Sequence, residues 1–186
     1  MQRALFDELA AHLDKKEFTI LTGARQTGKS TLLRQLEARC KALAIPCVFL
    51  NLENKDFLIE LNGHSLNLLN YLPDTADRVV VLIDEVQYLD DPSNFLKLLY
   101  DEHVQRVKIV ATGSSAFYID DHFRDSLAGR KRVFQLLTCS FTEYLQLAGK
   151  EELLQELTRI RSNEQAKTIQ LDYLRHEWES YMLYGG

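Results

Sequence analysis

The chain has 186 residues, enough for one domain with a sizeable core, and its hydrophobic fraction of 46% and charged fraction of 26% are those of an ordinary globular protein. A formal net charge of −5 gives no broad electrostatic footprint for nucleic acid, although Arg130-Lys131-Arg132 makes a local basic strip. Cys40, Cys47 and Cys139 contain no C-x-x-C pair and point to neither a disulfide framework nor a zinc site; no apolar stretch reaches membrane-spanning length, and acids near the amino terminus argue against a signal peptide, so the expected location is cytoplasmic, with no membrane partner.

Leu5, Phe6, Leu9 and Leu13 recur at helical spacing and predict a short amphipathic helix. Phe18 to Thr22 is the first strand. It feeds Gly23-Ala24-Arg25-Gln26-Thr27-Gly28-Lys29-Ser30, which has the G-x-x-x-x-G-K-S spacing of a P-loop. In that motif the two glycines allow left-handed turns that aim backbone N–H groups at phosphate oxygens. Lys29 reaches the terminal phosphates, the Ser30 hydroxyl ligates Mg2+, and the following helix offers its positive dipole end. Residues Gly23 to Thr31 are therefore the expected nucleotide-binding segment. The helix it opens carries Leu32, Leu33, Leu36 and Ala38 and extends to about Ala42.

Cys47 to Leu52 reads as the second strand, entered through Pro46, and a polar helical stretch contains Phe57 to Leu72. Arg78 to Asp84 is a continuous apolar run, the mark of a strand buried on both faces and hence central. It ends in Asp84-Glu85. Asp84 is placed to complete the Mg2+ shell with Ser30, and Glu85 to orient and polarise a water for attack on the γ-phosphate; coincident surface acids are the alternative. Pro92 to Tyr100 is helical, and Val107 to Thr112 is the fourth strand, ending in Thr112-Gly113-Ser114-Ser115. If it lies between strands one and three, a hydroxyl there meets the γ-phosphate or the attacking water; a simple strand-to-loop turn explains the same residues. Arg124, Arg130 and Arg25 are candidates to neutralise charge on the transferring phosphoryl group, or else solvated surface charges.

Val133 to Leu137 is the fifth strand, and helices follow: Phe141 to Ala148, Glu151 to Ile160, and a long one from about Asn163, with Ser162 and Gln165 as its capping box. Leu171, Leu174, Trp178 and Tyr181 fall on one face, forming a lid or docking surface, or merely packing on the sheet. Tyr184-Gly185-Gly186 reads as a helix cap leading into a linker and admits a truncation there. Repeated βα units with apolar strands predict an α/β chain with a parallel sheet between helices. Residues 1–137 form the P-loop nucleotide-binding core and 138–186 a helical C-terminal segment leading toward a second domain. Asn54-Lys55-Asp56 lacks the spacer of a guanine-reading motif, and Ser180 stands where His176-Glu177 would need a second histidine, so no metal beyond Mg2+ is expected.

Gly23 to Thr31, Asp84-Glu85-Val86-Gln87, Thr112-Gly113-Ser114-Ser115, Ser126 to Arg130, and Ser140-Phe141-Thr142-Glu143-Tyr144 resemble, in order and spacing, the ATPase domain of bacterial and archaeal AAA+-like proteins of the AAA_14/DUF4143 type. The resemblance runs from Phe18 to the terminal glycines. It implies a three-layer P-loop NTPase, AAA+/RecA-like, with a five-stranded parallel sheet, ATP and Mg2+ as ligands, and Glu85 as the catalytic glutamate beside Lys29. It further implies Thr112 or Ser114 as sensor, Arg130 as a nucleotide-facing arginine, and a further C-terminal domain as partner. The expected activity is slow Mg-dependent ATP hydrolysis coupled to rearrangement of the helical part or that domain. The alternatives are a nucleotide-held switch or scaffold with negligible turnover, and a nucleotide or small-molecule kinase. Nucleic acid is not indicated by this domain; client and oligomeric state, including a homo-oligomer, stay open.

Overall fold

The apolar runs become five strands: β1 (Phe18–Gly23), β2 (Cys47–Asn51), β3 (Val79–Asp84), β4 (Val107–Ser114) and β5 (Lys131–Gln135). This is a computed structural model, and it describes residues 3–74, 77–114, 127–162 and 170–184. Every neighbouring strand pair is parallel, in the order β2-β3-β4-β1-β5. The three inner strands are buried almost without interruption, because helices cover both faces and leave no polar side to alternate. β4 separates β1 from β3, as the fourth strand was expected to do.

Period-two alternation divides the inner strands between two cores. On one face Leu21, Val80, Leu82 and Val110 meet Leu32, Leu33, Leu36 and Cys40 of α2 (Lys29–Ala42), together with Phe6 and Leu9 of α1 (Phe6–Ala11). On the other, Ile20, Val79, Val81, Ile83 and Ile109 meet Phe95, Leu96 and Leu99 of α4 (Pro92–His103) and Leu61 of α3 (Lys55–Gly63). Asn54 caps α3 by accepting from the Asp56 N–H, which gives Asn54-Lys55-Asp56 a structural role. The stretch after it does not stay α-helical: His64 is extended at φ −161°, and a 3-10 turn, Ser65–Tyr71, follows. β4 runs two residues past the expected end, because its ladder with β1 continues to the Gly23–Ser114 pair, and β5 starts at Lys131, opposite Phe18.

The chain divides into two compact units, Leu5–Leu136 and Met1–Ala4 with Leu137–Gly186. The second contains α5 (Phe141–Leu147), α6 (Glu151–Ser162) and α7 (Leu171–Tyr184). Its core gathers Phe141, Leu145 and Leu174, with Phe141 edge-on to Trp178 at 5.0 Å and tilted against Tyr181 at 5.5 Å. Of the expected stripe on the last helix, Leu174 is buried, whereas Leu171 stays 59% exposed and Trp178 47%. Ser162 is the last described residue of α6, its hydroxyl donating to the Arg159 carbonyl, and Gln165, the other half of the expected capping box, lies outside the described residues. Among the described residues, no helix is long and apolar enough to cross a membrane.

The capping box stands instead at α5, where the Ser140 hydroxyl accepts from the Glu143 N–H at 3.3 Å and the Glu143 carboxylate accepts from the Ser140 N–H at 2.9 Å. Its second oxygen takes Arg3 Nε at 2.8 Å and the Ala4 N–H at 3.1 Å. Burial pushes the Glu143 carboxyl up, but the Ser140 N–H, Arg3 and the Ala4 N–H outweigh it and hold it below its ordinary value. A depressed carboxyl stabilises the fold above the unfolded glutamate range and loses that contribution as pH falls through its folded value. Glu143→Gln should therefore lower stability by about 1 to 3 kcal/mol at neutral pH, and the gap to the parent should close in acid. Urea unfolding at several pH values measures this; equal midpoints at neutral pH would show that the carboxylate's charge contributes nothing.

Candidate functional site

The P-loop leaves β1 at Gly23 under a constraint from outside the motif. A Cβ there would sit 2.3 Å from the Leu136 carbonyl oxygen, because the chain leaving β5 hydrogen-bonds alongside, Leu136 N–H to Thr22 C=O at 2.7 Å. Gly23 has φ 159°, so it makes no left-handed turn; those belong to Gln26 at φ 64° and Gly28 at φ 93°. A Cβ on Gly28 would meet nothing within 4 Å, so conformation alone selects glycine there, at the cap of α2. The Thr27 hydroxyl ties the loop to itself by donating to the Ala24 carbonyl at 3.0 Å. Lys29 is only 5% exposed, and its ammonium donates to the carbonyls of Gly23 at 3.2 Å and Ala24 at 2.8 Å. These are neutral acceptors, weaker partners than a phosphate oxygen.

Beside the loop lies a cavity of about 530 Å³, the size of a small-molecule site. Arg25, Gln26, Gly28, Lys29, Ser30 and Thr31 form one wall, and Glu53, Glu85, Gln87, Tyr88 and Ser114 the other. Gly23, Ala24 and Thr27 shape the loop without lining the cavity. At the end of β3, Asp84 is buried, and the Thr112 hydroxyl on neighbouring β4 both donates to Asp84 Oδ1 at 2.5 Å and accepts the Glu85 N–H at 2.9 Å. Thr112 thus braces the acidic pair from inside the sheet, and the hydroxyl that β4 presents to the cavity is that of Ser114. Glu85 takes φ 60°, an unfavourable backbone for a non-glycine residue, held by this brace and by the 3-10 turn Val86–Tyr88. The Gln87 amide donates to its carboxylate. Ser30 and Asp84 supply oxygen donors only, the chemistry Mg2+ takes. Among the described residues, no cluster of three or more histidine, cysteine or acidic side chains forms an all-protein metal site.

Arg130 is not brought to this cavity. Its carbonyl accepts the Phe18 N–H, which places it at the amino end of β1, the length of a strand from the loop, about 17 Å at 3.3 Å per residue. Its guanidinium instead forms a two-pronged pair with Asp101, Nε to Oδ1 at 2.6 Å and Nη2 to Oδ2 at 3.2 Å. Arg25 is the arginine on the cavity wall. Arg124, Ser115 and Ser126 lie outside the described residues. Glu53, Gln87 and Tyr88 were given no role from sequence; the available signal was their position just past the carboxyl ends of β2 and β3, where a parallel sheet of this kind places its ligand.

The protein family described as AAA domain matches residues 15–145. MJ1637, an uncharacterized protein of Methanocaldococcus jannaschii, is 30% identical over 158 residues, which cover 77% of this chain and 31% of that protein. Among solved structures, Drosophila ORC bound to DNA aligns with a TM-score of 0.58 at 16% identity, covering 95% of this chain and 55% of that one. C. elegans PCH-2 aligns at 0.55 and 21%, covering 86% and 49%. Aeropyrum pernix ORC1 in complex with DNA aligns at 0.53 and 17%, covering 80% and 49%. At these identities the structures establish the shared fold. The chain spans 31% of the archaeal relative's length.

Thr112→Val keeps the shape of the brace and removes its hydroxyl, leaving a buried carboxylate oxygen and the Glu85 N–H without their partner. Stability should fall by about 1 to 3 kcal/mol, read as a lower urea midpoint. An unchanged midpoint would show that the hydroxyl does not hold the pair.

Proposed function

The chain belongs to the AAA-domain family, and from that premise we propose that it binds ATP with Mg2+ at residues 23–31 and hydrolyses it slowly. The observation that carries this reading is the cavity with the P-loop on one wall and Glu85 on the other, its acids fixed by Thr112. Lys29 moves its hydrogen bonds from the Gly23 and Ala24 carbonyls to the terminal phosphates, where the charge-assisted contacts are stronger. Ser30 and Asp84 hold the ion, and Mg2+ when bound draws charge from the phosphate oxygens. Glu85 orients the attacking water through the carboxylate oxygen that Gln87 leaves open, and Ser114 meets the γ-phosphate or that water. Arg25 adds positive charge at the phosphates. Arg130 reaches a nucleotide only as a residue of a neighbouring copy. The nucleotide state would then be coupled to the helical C-terminal part or to a further domain of the full protein, in the cytoplasm.

A nucleotide-held switch with negligible turnover is favoured by one observation, the engagement of the Glu85 carboxylate by Gln87. Glu85→Gln separates the two readings. In an ATPase it should retain ATP affinity and slow single-turnover hydrolysis by about a hundredfold or more; equal rates for parent and variant would remove Glu85 from the chemistry. Lys29→Ala should weaken ATP binding by about a hundredfold in calorimetry, with the circular dichroism spectrum unchanged. Undiminished affinity would refute the P-loop assignment. For Arg130→Ala, turnover at high dilution should stay within about twofold of the parent, and any deficit should emerge only as protein concentration rises. A large loss at every concentration would place Arg130 at its own nucleotide.

A further inference from the structure

At the opposite, amino end of the sheet, β4 carries a lysine where the pattern calls for an apolar side chain. Lys108 is fully buried, and its ammonium donates to the Glu17 carbonyl and to His12 Nδ1, the latter at 3.3 Å. Among the described residues, no carboxylate stands within 4 Å of it. A buried cation without an anion is costly, and here only a carbonyl and an imidazole attend it. His12, 5% exposed, is fixed by the same contacts. Its Nδ1 also lies 2.7 Å from the Thr19 hydroxyl, and its ring stands edge-on to Phe134 at 5.3 Å. Lys108 in its protonated form can only donate, so beside that form Nδ1 accepts and the ring proton sits on Nε2. Nε2 has no partner among the described residues.

His12 lines two cavities of about 210 and 430 Å³, which share His12, Lys15 and Arg132 in their walls. With Nδ1 turned inward to Thr19 and Lys108, Nε2 is the nitrogen left to the cavities. Glu8 stands in the smaller and Glu17 in the larger. Burial first, then Lys108, Arg132 and Lys15, bring His12 down to about 4 against the opposing pull of Glu17, so the ring is a neutral donor in a cationic setting at physiological pH. Burial and Arg78 likewise bring Lys108 down to about 7, against Glu17 and Asp14.

We infer that this paired cavity is a second anion site, which takes a phosphoryl group between the Lys15 ammonium, the Arg132 guanidinium and the His12 Nε2–H, with Lys108 polarising the imidazole from behind. The three donors come from two places in the chain: the 3-10 turn His12–Asp14 with Lys15 at its end, and strand β5. Three separate donors, two on the turn and one on β5, suit a tetrahedral oxyanion, whereas a planar carboxylate would need only a flat pairing with one side chain. The larger cavity leaves room for the group that carries the phosphate. This inference does not depend on the nucleotide reading, because it uses no residue of the P-loop cavity.

The test uses the full chain carrying Lys29→Ala, so that phosphate at the P-loop does not contribute. Sodium phosphate is titrated at constant ionic strength while the 15N signals of His12 Nε2 and the Arg132 side chain are followed. A saturable shift is expected, and Arg132→Ala and Lys15→Ala, both at exposed positions, should each weaken it by about fivefold or more. Lys55→Ala, at the start of α3, should leave it unchanged. Pyrophosphate and an oligothymidylate are then added as competitors: displacement by the oligonucleotide identifies a polynucleotide backbone as the source of the phosphoryl group, and displacement by pyrophosphate alone identifies a free phosphate. A shift that sodium chloride reproduces, or one of full strength in Arg132→Ala, would overturn the site.

Discussion

Strand β4 lies between β1 and β3, and its ladders to both are parallel, so the carboxyl ends of all three strands must emerge on one side of the sheet. The remaining site geometry depends on this constraint. β1 delivers the glycine loop, β3 the acids, and β4 the hydroxyl that fixes those acids, with β1 and β3 each one strand spacing from β4. An antiparallel β4 would carry Thr112, Ser114 and the loop after them to the far end of the sheet, away from Asp84 and Glu85. The same parallelism requires long crossovers, and α2 and α4 supply them while covering the two faces that the apolar inner strands cannot expose to water.

The parts legible in the sequence were those whose cause is local. A P-loop is a contiguous string, and α2 runs from Lys29 to Ala42 as its apolar spacing indicates. The doubly buried strand is readable because Val79 to Ile83 offers no polar residue for solvent. What escaped was set across the chain. Gly23 looked like a turn glycine, yet its requirement comes from a carbonyl of Leu136, far along the sequence. Thr112 and Ser114 were indistinguishable hydroxyls until the register showed one enclosed beside Asp84 and the other open to the cavity. Arg130 sits in a motif that resembles the family's, but a motif carries no statement of which end of a strand it occupies, and β5 begins where β1 begins.

The two ends of the sheet handle positive charge differently. At the carboxyl end Lys29 is nearly as buried as Lys108 but rests on carbonyls of its own loop, next to an open cavity. At the amino end Lys108 is enclosed, held by the Glu17 carbonyl and the ring of His12. A chain that is acidic overall thus encloses two lysines at opposite poles of its sheet.

Leu136 is the last residue of the sheet-bearing unit, and the next peptide bond leads into the helical one. A tensile load carried along the backbone from that bond falls first on the hydrogen bond from the Leu136 N–H to the Thr22 carbonyl. Thr22 immediately precedes Gly23. The joint is a shear pin: the bond most exposed to traction is fixed to the residue from which the phosphate loop springs, and Gly23, lacking a side chain, offers no steric buttress to absorb the displacement.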